Sequence, residues 1–218
     1  MAPMSCIQLK VPIMCYNIHR GRWFSYEVFQ TDDASDEEEE FGEVMKEVEE
    51  ANARCHGSIQ IMKESGQWGV YAARNFEQGE LVISSKSKDG NSGEATKSSA
   101  TSCAHSIQID WNKHILMDLP ARYLNHSCDP NVGVLGLNAN GSYNFVALKD
   151  IACKEELRFD YETTEFAVGA FSICCCGSSN CRGKVRGYKY NGRDIREKYS
   201  EEYISSYLLR HNHARQKT

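Results

Sequence analysis

Along most of the chain, apolar and polar residues trade places at every second position, and in two stretches the apolar residues return instead every third or fourth. The first pattern dominates. "SIQIMKES" and "WGVYAARNFEQGELVI" alternate, are rich in β-branched and aromatic residues, and carry a turn at Gln78-Gly79, which predicts strands at 58–63, 69–73 and 80–83. Further short strands are expected at "SIQID", "HILMD", "GSYNFVALK" and "EELRFDY", and one or two within residues 6–30, where Ile, Val, Tyr, Phe and Trp are frequent. Helical spacing joins Phe41, Val44, Met45 and Val48, and again, over 193–211, Ile195, Tyr199, Tyr203, Ile204, Tyr207 and Leu208. Two segments break the pattern: "TDDASDEEEE", expected as a solvated linker, and the Ser-, Lys- and Gly-rich residues 84–102, expected as a mobile loop. Many short strands with few helices predict a mostly β core with flanking helices rather than a doubly wound sheet.

Composition narrows this picture. A chain of 218 residues can bury one substantial core with extra terminal segments, and 41% hydrophobic with 25% charged residues is ordinary for a globular protein. The net charge of -5 hides a division: residues 32–50 hold eleven acidic groups and one lysine, so this segment carries -10 and the rest +5. Residues 182–218 hold ten Lys or Arg against four Asp or Glu, a charge of +6. No basic patch interleaved with aromatics matches a nucleic-acid module, so direct nucleic-acid specificity is not expected. No apolar run approaches the roughly 20 residues of a membrane span, and no membrane partner is expected. The segment "MAPMSCIQLKVPIMCYN" lacks an apolar stretch followed by a small-residue cleavage site, which points to a reducing compartment.

The chain has ten cysteines, and in such a compartment clustered cysteines read as metal ligands more readily than as disulfides. "CCCGSSNC" holds four of them. Cys174, Cys176 and Cys181 have the spacing C-x-C-x4-C, tight enough for three thiolates to meet one tetrahedral ion, with Gly177 easing the turn. Cys128 is the best-placed fourth ligand, because Asp129-Pro130 fixes a turn behind it, and Cys175 is the rival. Four thiolates leave no place for water, so the ion, one zinc, would be structural.

"WGVYAARNFEQGELVI", "ARYLNHSCDPNV", "EELRFDY" and "CCCGSSNCRG" stand in an order and at intervals that resemble a SET-domain protein lysine methyltransferase with a post-SET zinc segment; the resemblance covers about residues 58–187. It implies a β-clip-like fold of short sheets with a pseudoknot. The domains expected from it are an uncharacterised N-terminal segment 1–57 that includes an acidic linker 32–50, a SET domain 58–165, a post-SET segment 166–187 and a basic tail 188–218 with a helix. It implies S-adenosyl-L-methionine as cofactor, bound by Gln67, Trp68, Gly69, Tyr71, Arg122, Asn125, His126 and Val185. Tyr161 is similar to the family's catalytic tyrosine, whose hydroxyl positions methyl and amine, and Phe159 to the position that governs how many methyl groups are added. A phenylalanine there cannot anchor a blocking water, which implies dimethyl or trimethyl lysine. Asp160 is expected to be structural, and Arg158 to face solvent.

The chain departs from the family in three places. Gly66 and Gly69 are separated by two residues rather than one; His105 stands where a channel tyrosine is usual, so His105 or Tyr123 is expected to line the lysine channel; and no pre-SET cysteine cluster precedes residue 58. The resemblance implies a basic extended peptide as substrate, with a histone H3 tail the leading choice, a non-histone protein the alternative, and the nucleus, or else the cytoplasm, as location. An inactive SET-fold interaction module would be damaged at Asn125, His126 or Tyr161, and all three are present.

Overall fold

A computed structural model of the protein describes residues 14–17, 22–25, 34–64, 66–88, 105–168 and 173–215. Within these the strands are β1 (Met14–Asn17), β2 (Arg22–Ser25), β3 (Ile59–Glu64), β4 (Gln67–Ala72), β5 (Leu81–Ser84), β6 (Ser106–Asp110), β7 (Lys113–Leu116), β8 (Asn125–His126), β9 (Val132–Leu137), β10 (Tyr143–Ala147) and β11 (Glu156–Phe159). The helices are α1 (Ala34–Arg54), α2 (Tyr188–Lys198) and α3 (Ser206–Arg215). The expected mostly β architecture with flanking helices is what forms.

One four-stranded sheet, ordered β3-β4-β11-β8, carries the features that matter most. β3 and β4 form an antiparallel hairpin from Ile59↔Ala72 to Glu64↔Gln67, and β11 adds to β4 with Leu157 opposite Val70. The two-residue strand β8 then joins β11 in parallel, with Asn125 opposite Arg158 and Phe159 opposite His126. A three-stranded sheet, β5-β10-β9, and the pairs β6-β7 and β1-β2 complete the described strands. Alternation supplies the core: Leu157 and Phe159 turn inward to meet Val70, Phe145, Val132 and Ile115, while Glu156 and Arg158 turn outward.

A second apolar cluster, of Tyr188, Ile195, Ile204, Tyr207 and Leu208, belongs to the C-terminal helices. Buried Tyr143 joins the two, since its hydroxyl donates to the Gln108 carbonyl at 2.9 Å and lies 2.8 Å from Ser205 Oγ.

Four differences from the sequence expectation have physical causes. The acidic stretch is not a linker from residue 34 on, because α1 begins there: Ala and Glu are strong helix formers, and carboxylates are favoured at a helix N-terminus. Val48 and Ala51 bury this helix against Ile61 and Leu119, and Asn52 satisfies the edge strand, accepting from Ile61 N at 2.7 Å and donating to Ile61 O at 3.2 Å. Phe41, on the expected apolar face, stays 48% exposed with Lys63 Nζ 5.7 Å above its ring.

Strand β9 was hidden by Gly133 and Gly136, which interrupt the alternation of "NVGVLGLNA". The expected single terminal helix is two. Tyr199 leaves helical geometry to bond Asp160 Oδ2 at 3.0 Å, and Ser205 N donates to Thr163 O at 2.9 Å, so tertiary bonds interrupt a periodicity that continues across the break. Arg158 does not face solvent freely: it pairs with Glu156 and donates to Cys176 O at 2.9 Å. Of the expected loop 84–102, residues from 89 on lie outside the described residues.

Candidate functional site

The turn "NHSCDPN" is neither a helix cap nor a surface loop. A 3-10 turn, Ala121–Tyr123, leads into the extended pair Asn125-His126, and parallel pairing with β11 sets these two side chains beside "ELRFDY". Ser127 N donates to Phe159 O at 3.0 Å and continues that pairing, so Cys128 emerges directly beneath Tyr161.

At this lower end four sulfurs meet. The Sγ atoms of Cys128, Cys174, Cys176 and Cys181 lie within 4.8 Å of one another, and Cys175 stays exposed outside the group. Cys128 and Cys174 sulfurs are 3.7 Å apart. A tetrahedral ion with metal–sulfur bonds of about 2.3 Å needs sulfurs about 3.8 Å apart, so the donor set fits such a metal. Gly177 makes the turn with φ +75°, which a side chain would oppose. Burial raises the Cys128 thiol to about 11 and Cys174 further still. For Cys176 burial also raises the pKa, but the Ser178 hydroxyl and the amides of Cys128 and Ser178 outweigh it and bring the thiol down to about 6.

At the upper end the groups are amides and carboxylates. Asn125 accepts from Gln67 Nε2 at 3.1 Å and donates to Trp68 O at 3.0 Å and Glu156 Oε1 at 2.8 Å. Gly69 is hemmed in: a Cβ there would lie 3.0 Å from Glu156 Oε1 and from the Tyr71 ring. Tyr71 is buried beside Glu156, and burial first and that carboxylate second push its phenol up to about 12. An open cleft of about 330 Å³, lined in part by Ser127, Asn131, Lys149, Glu156, Arg158 and Ser178, runs from this end toward the cysteine turn.

Between the ends lies an aromatic group. Tyr161 donates its hydroxyl to Leu124 O at 2.8 Å, and its ring stands 4.7 Å from Phe159 and 5.2 Å from His126. Burial holds the phenol far above its usual range, which favours the neutral hydroxyl. His126 is held as neutral imidazole, its pKa drawn down to about 4 chiefly by burial. Phe145 packs edge-on against Phe159 at 5.3 Å. Tyr123 lies apart from this trio, stacked on Trp68 at 5.6 Å with His105 edge-on to it at 5.6 Å; burial and Arg122 lower the His105 pKa.

Most residues singled out by sequence therefore converge, in three groups. Arg122 braces instead of pointing into the cleft: it donates to Met117 O at 2.9 Å and pairs with Glu47 at 3.6 Å. Val185, 1% exposed, packs on the cysteines and Tyr161.

Sequence reasoning missed Glu156, although a period of two places 156 and 158 together on the outward face beside Asn125. It expected Asp160 to be structural but missed Glu162, the second buried carboxylate that flanks Tyr161. Asp160 accepts from Arg182 at 2.6 and 2.8 Å and caps the following turn, and Glu162 accepts from Arg186 N at 2.7 Å and from Asn191 at 2.9 Å. Nothing in the local pattern distinguishes those carboxylates from surface ones. Their partners lie more than twenty residues away.

Residues 67–162 match the family model described as the SET domain. The chain is 36% identical over 83 residues to histone-lysine N-methyltransferase ASHH2 of Arabidopsis thaliana, covering 37% of this chain and 5% of that protein. It is 32% identical over 129 residues to the H3 lysine-4 specific histone-lysine N-methyltransferase of Aspergillus fumigatus, covering 53% of this chain and 10% of that protein. The chain thus spans about a tenth or less of the length of these curated relatives.

Among solved structures, KRYPTONITE in complex with mCHG DNA and SAH matches at TM-score 0.41 and 21% identity, over 58% of this chain and 28% of that one. The methyltransferase domain of human SETMAR matches at TM-score 0.41 and 21% identity, over 59% and 58%. The sequence reading set direct nucleic-acid specificity aside. Because a structure holding methylated DNA stands among these matches, that exclusion is withdrawn. No described helix is long and apolar enough to cross a membrane. The chain thus contains a region, residues 67–162, that matches the SET domain model, and a four-cysteine, metal-competent cluster whose Cys128 lies inside that region.

Proposed function

We propose that the protein is a protein-lysine N-methyltransferase that uses S-adenosyl-L-methionine, acts on an extended basic peptide, with the histone H3 tail as first candidate, and yields dimethyl or trimethyl lysine. The observation that carries this reading is the parallel pairing of β8 with β11, which brings "NHSC" and "ELRFDY" together although the paired residues lie 33 positions apart in the chain. That crossing also supports the pseudoknot of the β-clip-like SET fold. The domain limits we favour are 58–165 for the SET unit and 166–187 for the post-SET segment, with 1–57 and the basic tail 188–218 flanking them.

The residues present fit both implied groups. Gln67, Trp68, Gly69, Tyr71, Asn125 and His126, with Arg122 bracing and Val185 beneath, form the cofactor's cradle. Glu156 adds a carboxylate suited to cationic ammonium and sulfonium groups, and Arg158 a cation suited to a carboxylate. When bound, the cofactor supplies an electrophilic methyl on positive sulfur. The chain then has to deliver an uncharged, aligned lysine amine.

A channel lined by Phe159 and Tyr161, with Tyr123 and His105 at its margin beside Trp68, would disfavour the ammonium by desolvation, and a free lysine with pKa near 10.4 loses its proton more readily there. Neutral Tyr161 offers oxygen lone pairs, and its hydroxyl, anchored on Leu124 O, orients the amine. Zinc, held by Cys128, Cys174, Cys176 and Cys181, is structural because four sulfurs fill its coordination. Kinship with histone-lysine methyltransferases supports a nuclear location.

The test is transfer of labelled methyl from S-adenosylmethionine to fractionated histones and to whole lysate. Label in H3 supports the histone reading, and label confined to another protein supports the non-histone alternative. No transfer to either from protein loaded with zinc would contradict the enzymatic reading.

A further inference from the structure

We propose that His126 is a positioning residue that ties the sulfur cluster to Tyr161, with each ring nitrogen doing a separate job. The backbone N–H of Tyr161 donates to His126 Nδ1 at 3.2 Å, so Nδ1 must present its lone pair. A neutral imidazole with Nδ1 as acceptor carries its proton on Nε2. Nε2 lies 3.4 Å from Cys128 Sγ, within reach of an N–H···S bond. The two bonds run in one direction, from the Tyr161 amide through the ring to the sulfur, and donors aligned in this way polarise one another.

The backbone fixes both ends of this line. His126 is paired in register with Phe159, and Ser127 N bonds Phe159 O at 3.0 Å, so the ring is carried across the end of β11 at a set height. A second line runs parallel to it. Arg182 N donates to Cys128 Sγ at 3.4 Å, and the Arg182 guanidinium binds Asp160 at 2.6 Å, beside Tyr161. Other groups bonded to the sulfurs among the described residues include the amides of Cys128, to Cys176 at 3.5 Å, and of Gly183, to Cys181 at 3.4 Å, and the Ser178 hydroxyl, 3.3 Å from Cys176 Sγ, none of which is bonded to the aromatic group. His126 and Arg182 reach toward it.

A thiolate bound to a cation is a better acceptor than a thiol, so filling the cluster strengthens the Nε2–H bond and orders the ring that holds the Tyr161 amide. Metal occupancy then sets the placement of Tyr161 as well as the folding of the cysteine turn. The catalytic meaning of that placement rests on the methyltransferase reading. The hydrogen-bonded line does not.

Two substitutions in the full chain separate the jobs. The amide nitrogen of His126→Gln reaches about where Nε2 lies and keeps the donor to sulfur; the carbonyl of His126→Asn reaches about where Nδ1 lies and keeps the acceptor for Tyr161. In cobalt-loaded protein, His126→Asn should weaken cobalt affinity about tenfold and shift the thiolate-to-cobalt absorption while Tyr161 amide exchange stays slow. His126→Gln should hold cobalt affinity within about twofold and speed Tyr161 amide exchange about tenfold, the loss of one hydrogen bond. Equal effects of both variants on both readouts, or no effect of either on cobalt, would overturn the proposal.

If neither variant folds, the wild-type protein loaded with cadmium-113 decides. A scalar coupling between cadmium and the His126 Nε2 proton is expected, and its absence at full occupancy would also overturn the proposal. Neither measurement uses methyl transfer, so failure of the methyltransferase reading would be seen separately.

Discussion

The two ends of the site hold their polar groups in opposite ways. At the amide end every group found already has its partner: Asn125 satisfies Gln67, the Trp68 carbonyl and Glu156, and Glu156 satisfies Arg158 in turn. At the sulfur end four thiols crowd within 4.8 Å, with burial keeping protons on Cys128 and Cys174 and with Arg182 and Lys198 close by. Such a group is completed only by a cation, whereas the amide end is complete as it stands. Under the proposed function, a metal at the sulfur end would hold the cysteine turn folded, and a cofactor at the amide end would serve the reaction and not the fold.

That contrast predicts the largest effect at Cys128. Cys128→Ser should take metal content from one ion per chain toward none, measured by elemental analysis, and lower the melting temperature sharply, because metal binding free energy is folding free energy here. Cys175→Ser should change neither. Full occupancy in the first variant with loss in the second would exchange the two residues' roles. Acidification should release the ion in the wild-type protein, since protons compete for the same sulfurs.

Next in size is Tyr161→Phe, expected to reduce turnover about a hundredfold, the scale of losing one oriented hydroxyl or amide at a reacting centre, with cofactor affinity within about threefold by calorimetry. Asn125→Ala should reverse the order, weakening cofactor binding about tenfold before turnover falls, since it breaks three hydrogen bonds of the upper end. A Cys128-like loss of folding from Asn125→Ala would break the contrast between the ends.

Phe159→Tyr is smaller again. The added hydroxyl could hold a water for about 0.5 to 1.5 kcal/mol, enough for up to about a tenfold shift toward monomethyl product in time-resolved mass spectrometry. Wild-type protein that stops at monomethyl lysine would turn attention to His105. Glu47→Gln should do least. Its pairs with Lys88 and Arg122 are 44% exposed on the Glu47 side, and exposed pairs contribute little, so melting temperature should stay within about two degrees.

The sulfur end was the more legible of the two from sequence, and the reason is chemical. Cysteine at C-x-C-x4-C spacing has few other uses, and Asp129-Pro130 marked Cys128 as the distant partner. The amide end was legible only through the family motif, because Gln67, Asn125 and Glu156 are ordinary polar residues until β8 pairs with β11. Strands declared themselves by alternation wherever glycine did not interrupt it, and β9 is the exception that shows this. Helix ends were less legible. The break at Tyr199 is made by Asp160 and Thr163, forty residues away, and α1 outran its apolar stripe because Ala and Glu need no packing to favour a helix.

The most direct test of the account is tandem mass spectrometry of an H3 tail peptide incubated with S-adenosylmethionine and either wild-type protein or Tyr161→Phe. Methyl groups on a lysine side chain are expected with the wild-type protein, rising to the dimethyl or trimethyl form, and almost none with the variant at equal metal content. Methylation that is the same with both proteins, or that falls on residues other than lysine, would contradict the proposed function.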